Sequence, residues 1–451
     1  MPALIKIGVI GLGRMGRLYT RMLATQINGV QLHAVADVNE RARSEVADEL
    51  NVSYIFADPY KLIALPELDA VIITTPTSTH HDLVIAAAVA GKAIFCEKPL
   101  ALSLEYSRLA LDAVARAQVP LQVGFMRRFD AAYQKAKTMI DSGQIGYPVT
   151  FKSIGRDPFC PEPKYADPEK SGGLILDMAI HDFDLARWLM NSEVERVTAE
   201  GSLLVCKVLK SVGDIDNAVI NLRFVSGALG NIEVSRNAFY GYDIRTEVLC
   251  SEGAVMIGVH QHTPVLLLTR AGAQYDITPY LMERFGDAYR TQLQHFIDCL
   301  HKGQSPLVSG ADALAAYEIG VAATRSYRTG YPVSLNSKSG KEGLIGKPGR
   351  PLDHPGNLHN GSGKTHAARI TLEWSIFLAE RELRPKGEQH AQAFQTRSII
   401  HIAYRPCRLR RRVIQPYPDD IQQPGTLKPQ VLCDHARPGL RPVLVGGQEG
   451  C

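Results

Sequence analysis

Metal-ligand spacing is missing from this chain. Its eight cysteines (Cys96, Cys160, Cys206, Cys250, Cys299, Cys407, Cys433 and Cys451) are scattered, with no CxxC pair. That argues against a cysteine-built metal site and leaves reduced, mostly structural thiols of a cytoplasmic protein as the expectation. No run approaches the roughly 18 apolar residues of a membrane span, so no membrane partner is expected. The apolar run at 3–10 is broken by Lys6 and Gly8 and leads into glycines, so it reads as a strand rather than a signal peptide. Internal repeats are absent. A basic face is lacking too. Of the charged residues, 18 Lys and Arg against 10 Asp and Glu fall after Leu335, which makes that tail +8 and the first 335 residues −4. The main body therefore offers nothing to nucleic acid.

What remains is a chain of 451 residues, 45% hydrophobic and 21% charged, the composition of a soluble globular protein of two or three domains. Over residues 1–125 short apolar runs (4–10, 30–36, 70–74, 93–96, 121–124) alternate with helical stretches (15–26, 82–90, 104–117). That alternation predicts an α/β domain with a parallel sheet between helices. From 126 to 335 the texture changes. A Pro-rich stretch at 157–167 precedes one helical segment at 173–190, and strand-like runs follow at 196–204, 217–224, 228–235, 246–249, 254–257 and 264–268. Helical patterns at 289–302 and 311–328 and a last strand at 331–335 close an α+β domain with a large, mostly antiparallel sheet. Residues 336–451 hold 11 of the 26 prolines and the basic cluster Arg408, Arg410, Arg411 and Arg412, and read as a flexible extension. Its GSGKT at 361–365 is not a phosphate loop, because Leu358 stands where that pattern needs glycine and no strand precedes it.

Gly11-Leu12-Gly13-Arg14-Met15-Gly16 is a GxGxxG between the first strand and a helix. Glycine there allows the tight turn, the approach of a pyrophosphate and the packing of helix on strand. Asp37 ends the second strand, where a carboxylate accepts ribose hydroxyls and repels a 2′-phosphate, so NAD is expected as cofactor over NADP. Thr74-Thr75-Pro76 end another strand and either line the cofactor or cap the next helix.

Glu97-Lys98-Pro99 closes a further strand, placing Lys98 toward the nicotinamide or, equally, on the surface before a turn. Asp177 and His181 lie four residues apart on the helical segment and would share a face, as a proton acceptor with its carboxylate or as a structural ion pair. Asp182 and Asp184 nearby do not make a zinc site without matching Cys or His. Tyr240 and Tyr242 flank Gly241 in a loop, suiting a polyol or merely packing. Arg127 follows the last strand of the first domain and either reaches the interdomain cleft or salt-bridges it.

Together these segments resemble the glucose–fructose oxidoreductase / inositol dehydrogenase (Gfo/Idh/MocA) family over residues 1–335, its myo-inositol 2-dehydrogenase members most closely. GLGRMG at 11–16, EKP at 97–99, VGFMRRFD at 123–130, SGGLILDMAIHDFDLARW at 171–188 and YGYDIRTEV at 240–248 carry the resemblance. It implies a Rossmann domain followed by an open-sheet domain whose outer face pairs subunits into dimers and tetramers. It implies Lys98, Asp177 and His181 as the catalytic set, with His181 taking the hydroxyl proton and Asp177 orienting it. It implies Gly11, Gly13, Arg14, Met15, Gly16, Asp37, Thr74, Thr75, Pro76, Glu97 and Lys98 around NAD. Arg127, Asp157, Asp177, Tyr240 and Tyr242 fall where the branch contacts substrate, and the expected product is a keto-inositol. Gly155 departs from the pattern, standing where many inositol enzymes carry a polar side chain. Other readings are a dehydrogenase of another inositol or an aldose, a non-catalytic NAD(H) sensor, and nucleic-acid binding through the basic tail.

Overall fold

The computed structural model describes residues 3–335. The extension with its segments at 361–365 and 408–412 lies outside them. The first half consists of β1 (Ile5–Ile10), α1 (Arg14–Thr25), β2 (Val30–Ala36), α2 (Glu40–Leu50), β3 (Tyr54–Phe56), α3 (Pro59–Ile63), β4 (Ala70–Ile73), α4 (His80–Val89), β5 (Ala93–Cys96), α5 (Leu104–Ala117) and β6 (Leu121–Val123). All six strands run parallel in the order β3-β2-β1-β4-β5-β6. Every residue of β4 and β5 is buried, which is why they read as continuous apolar runs. The strand order reverses between β1 and β4, and the crevice beyond their carboxyl ends is where such sheets take ligands.

The second half begins with α6 (Ala131–Asp141) and β7 (Pro148–Arg156). Single turns α7 (Pro163–Ala166) and α8 (Pro168–Ser171) lead to α9 (Gly173–Asp177) and α10 (Ile180–Met190). Then come β8 (Val194–Ser202), β9 (Asn217–Phe224), β10 (Leu229–Ser235), β11 (Asp243–Cys250), β12 (Ala254–Ile257), β13 (Leu267–Thr269), β14 (Gly272–Gln274), α11 (Leu281–Lys302), α12 (Gly310–Thr329) and β15 (Val333–Ser334). Seven strands form a sheet in the order β12-β11-β7-β10-β9-β8-β15, antiparallel except at β7–β10. Caps place the last helices. Ser309 and Asp312 close a capping box at the start of α12, and Gly330 ends it in the left-handed region. α11 returns to the first half: Gln292 Nε2 donates to the Tyr19 hydroxyl (2.8 Å), Gln122 Nε2 donates to the Gln292 carbonyl (2.9 Å), and Phe296 packs on Phe95. One apolar core runs through both halves.

Four expectations need correction. The helix expected at 173–190 is two helices, broken at Met178-Ala179. The strand expected at 264–268 is replaced by an exposed hairpin, β13–β14, that joins neither main sheet. The strand β7, absent from the sequence reading, lies inside the second sheet, between β11 and β10. Cys160 and Cys206 are disulfide-bonded rather than reduced, 46 residues apart. The turn α7 packs against the 3₁₀ turn Lys207–Val212, and linear spacing gives no sign of such a meeting. Cys96, Cys250 and Cys299 are free and buried.

A buried ion cluster fixes the link between the halves. Arg128 donates to both oxygens of Asp184 (2.8 and 2.6 Å) and to Asp312 (3.1 Å), with Arg128 and Asp184 buried. Removing one partner of such a pair leaves an uncompensated charge. Asp184→Asn is expected to lower the unfolding free energy by about 3–5 kcal/mol in denaturant titration. A loss below about 1 kcal/mol would mean that Asp312 alone compensates Arg128.

Candidate active site

The glycine turn after β1 is built for a close ligand. Gly11 has φ +91°, and a Cβ on Gly16 would stand 1.8 Å from the Gly11 carbonyl oxygen, so neither position accepts a side chain, while Gly13 faces open space. α1 has no acidic residue in its first turn and no side-chain cap, so its N–H groups are free for an anion. Thr74 does not cap a helix. Its hydroxyl donates to the carbonyls of Gly11 (2.7 Å) and Ile10 (3.1 Å) and so holds the turn. Asp37 follows β2, accepting from the backbone of Leu12 (2.5 Å) and Asn39 (2.8 Å), which fixes its carboxylate beside the turn. Pro76 precedes the 3₁₀ turn Thr77–Thr79. Buried His80 places its ring nitrogens 2.8 Å from the carbonyls of Thr75 and Pro99, tying the two loops together. These groups fit a dinucleotide.

A cleft of about 150 Å³ adjoins this turn, and Arg14, Met15, Glu97, Lys98, Arg127, Gly155, Asp157, Asp177, His181 and Tyr242 are among its walls. Lys98 Nζ donates to the Asp177 carbonyl (2.7 Å) and approaches its carboxylate (3.3 Å). The helix break makes the first bond available, since in an unbroken helix that carbonyl would accept from the N–H four residues on. Asp177 also meets Arg236 (3.3 Å), which in turn holds Asp214 (2.5 Å). Burial works against the Asp177 carboxylate, but Lys98 and Arg236 prevail and its pKa is lowered. No hydrogen bond joins Asp177 to His181, so the expected orientation of the imidazole by this carboxylate is not seen. Instead Phe125 packs edge-on to the His181 ring, 5.8 Å between centroids. His181 Nδ1 is sealed without a partner, so the ring meets the cleft through Nε2. Burial, then the charges of Lys98 and Arg127, hold its pKa well below 6.5, so it is neutral at neutral pH.

Arg127 is buried and donates to Asp182 (2.6 Å), whose attraction outweighs the burial penalty and raises the guanidinium pKa. Glu97, partly buried, accepts from the Tyr19 hydroxyl and from the Lys98 backbone (3.2 Å), and burial raises its pKa. Asp157 sits at the end of β7. Burial first, then Asp177, push its carboxyl up to about 6. Tyr240 lies outside the cleft walls. Half-exposed, it donates to Asp243 (2.7 Å) and accepts from Arg156 (2.9 Å). Tyr280 and Tyr289, from the start of α11, are in the walls and were not anticipated. Arg14 donates to the Tyr280 hydroxyl (3.1 Å). Asp182 and Asp184, weighed as metal ligands, are each committed to an arginine. A larger cavity, about 610 Å³, lies between α1 and α11 but holds none of these groups.

A parallel dinucleotide sheet whose glycine turn opens on a lysine, an aspartate and a neutral imidazole carried by a second layer defines a nicotinamide-dependent oxidoreductase. Known proteins agree. Residues 5–125 match the oxidoreductase family with NAD-binding Rossmann fold, and residues 133–256 match the GFO/IDH/MocA C-terminal domain. The chain belongs to the GFO/IDH/MocA oxidoreductase family and takes NAD as its cofactor. It is 43% identical over 340 residues to scyllo-inositol 2-dehydrogenase (NAD(+)) of Bacillus subtilis (strain 168), covering 75% of this chain and 99% of that one. To the myo-inositol 2-dehydrogenase of Thermotoga maritima it is 42% identical over 337 residues, covering 74% and 100%. The crystal structure of scyllo-inositol dehydrogenase from Lactobacillus casei with bound NAD(H) and scyllo-inositol superposes with a TM-score of 0.71 at 30% identity, covering 74% of this chain and 100% of that one.

Two outcomes follow from this geometry. Asp37→Ser, which removes the negative charge beside the turn, should shift the NADP-to-NAD ratio of kcat/KM toward NADP by about tenfold, or 1.4 kcal/mol. An unchanged ratio would mean that Asp37 does not face the ribose. Asp157 has a folded pKa near 6 against 3.8 unfolded, so it binds more protons in the native state and its contribution falls as pH rises from about 4 to 6. Asp157→Asn should therefore gain stability relative to wild type over that window, by on the order of 3 kcal/mol at pH 8. A pH-independent difference between the two unfolding curves would count against the raised carboxyl.

Proposed function

We propose that this chain oxidises a ring secondary hydroxyl of an inositol, myo-inositol foremost, to the ketone 2-keto-myo-inositol (scyllo-inosose), with His181 accepting the hydroxyl proton. The observation that carries the reading is the meeting of Lys98, Asp177 and His181 at one wall of a small polar cleft beside the glycine turn. NAD bound on that turn supplies the hydride acceptor. Lys98, held by Asp177, donates to the reacting oxygen and favours its deprotonation. The neutral imidazole takes the proton at Nε2, and the sealed Nδ1 leaves it one open nitrogen. Asp157, Tyr242 and Arg127 offer acceptors and donors to the other ring hydroxyls. A cleft so small and polar suits a compact ring with many hydroxyls. The named substrates of the relatives, scyllo- and myo-inositol, support the class of substrate and leave the isomer to measurement. Apolar residues exposed on the second sheet, Val219, Leu229, Leu249 and Met256, support its pairing with further copies of the chain.

Purified protein with NAD is expected to form NADH with one or more inositols, myo-inositol giving the highest kcat/KM in a panel that includes scyllo-inositol and aldoses. Turnover of aldoses alone would reassign the substrate. His181→Ala should lower kcat by about 10²–10⁴-fold while NAD binding persists. Loss of NAD binding instead would make this residue structural.

A further inference from the structure

One buried guanidinium stands behind the cleft without lining it. Arg236 follows β10 and is not among the cleft walls. A charge withdrawn from water persists only where opposite charges meet it. Two carboxylates do. Nη1 donates to Asp214 Oδ2 (2.5 Å) and Nη2 to Asp177 Oδ2 (3.3 Å). These carboxylates belong to opposite ends of the short helix α9. Asp214 Oδ1 accepts from the backbone N–H of Leu174 (3.1 Å) in its first turn, and Asp177 is its last residue. A helix of five residues has little stability of its own, so the fork of Arg236 fixes where α9 ends. The mount of Arg236 is firm. Its backbone N–H donates to the Asp216 carbonyl (2.9 Å). Fully buried Asp216 accepts in turn from the backbone N–H groups of Leu204 (2.8 Å), Val205 (2.6 Å) and Cys206 (2.6 Å).

The two oxygens of Asp177 are thereby divided. Oδ1 is left to Lys98 (3.3 Å), while Oδ2 is taken by Arg236. The guanidinium also acts on charge. With Lys98 it holds the Asp177 pKa down against burial, and it draws down that of Asp157 against burial and the Asp177 charge. Tyr280 is a further titratable group that faces Asp177. On the neighbouring elements, His181 makes no bond to it and Asp182 is taken by Arg127, while the charges of α8, α12, β9 and β10 are exposed or paired elsewhere. We infer that Arg236 is a positioning residue of the oxidation: it holds the Asp177 carboxylate in the place and the charge from which it engages Lys98 and a ring hydroxyl. The inference rests on the proposed polyol oxidation and adds a residue that acts through another and never touches the ligand. Without the guanidinium, Asp177 has only Lys98, its rotamer is freed and its charged form is less favoured.

The test uses the full-length protein with NAD and the polyol that wild type oxidises fastest. Arg236→Met alone would strand Asp214 as a buried, unpaired carboxylate. The informative variant is therefore Arg236→Met combined with Asp214→Asn, read against Asp214→Asn. Its kcat should fall by about 10–100-fold below that reference, the scale of a slightly misplaced group. The acid limb of its kcat profile should move to higher pH, and the NADH dissociation constant from fluorescence titration should hold. Arg236→Lys keeps the charge, so it should retain the wild-type acid limb and lose less of kcat. A purely structural pair would lower Tm and leave kcat and the pH profile at the reference. That result in the folded double variant, or an acid limb displaced as far in Arg236→Lys, would overturn the positioning role and leave the oxidation standing. Failure of wild type to turn over any polyol would instead overturn the reading beneath it, before any variant is made.

Discussion

Lys98 is the pivot of the molecule. It ends a parallel strand of the first half, yet its ammonium is held by a residue 79 positions on, in the second half. Two arrangements make that contact. The first is the sheet, which delivers the lysine to the crevice where strand order reverses. The second is the interruption between α9 and α10, which strips the Asp177 carbonyl of its helical partner and turns it toward the cleft. Arg236 and Asp214 then hold Asp177 from behind, so the contact is one link in a chain of charges running from the nucleotide side into the second sheet.

The electrostatics of the cleft are divided. Arg127 keeps its charge because the Asp182 carboxylate outweighs its burial. The imidazole and two carboxyls, Glu97 and Asp157, are pressed toward their neutral forms by withdrawal from water. A site with fixed cations and reluctant bases suits a reaction in which negative charge builds on an alcohol oxygen and a proton has somewhere to go.

Much of this was legible in the residues. GLGRMG and Asp37 located the nucleotide turn because the glycine pattern is local, lying wholly within one strand, turn and helix. The pair Asp177–His181 was also found, though for the wrong local reason. The four-residue interval suggested a shared helical face, whereas the helix breaks between them and the two side chains do not bond. β7 escaped because its inward positions after Phe151 are Ser153 and Gly155, which erase the apolar alternation that marks a strand. Those positions face Asp182, so the property that hid the strand is the property that makes it part of the site. Tyr280, Tyr289 and Arg236 come from distant segments that only tertiary packing brings in. Tyr240 stands two residues from Tyr242, but Gly241 between them has φ +146° in a loop before β11, and Tyr240 is left half-exposed while Tyr242 is buried. The disulfide was invisible for a similar reason, since pairing depends on where chains meet.

The return of α11 to the first half bears on how the chain is made. Tyr19, Phe95 and Gln122 find their neighbours on residues 292–296, well after the six parallel strands have been synthesised. A nascent nucleotide half leaving the ribosome therefore carries a bare apolar flank around Phe95, and Tyr19 and Gln122 lack their bonds to Gln292. It stays an unfinished folding unit until the long helix emerges and docks, and cooperative closure of the two halves is a late event in its biosynthesis.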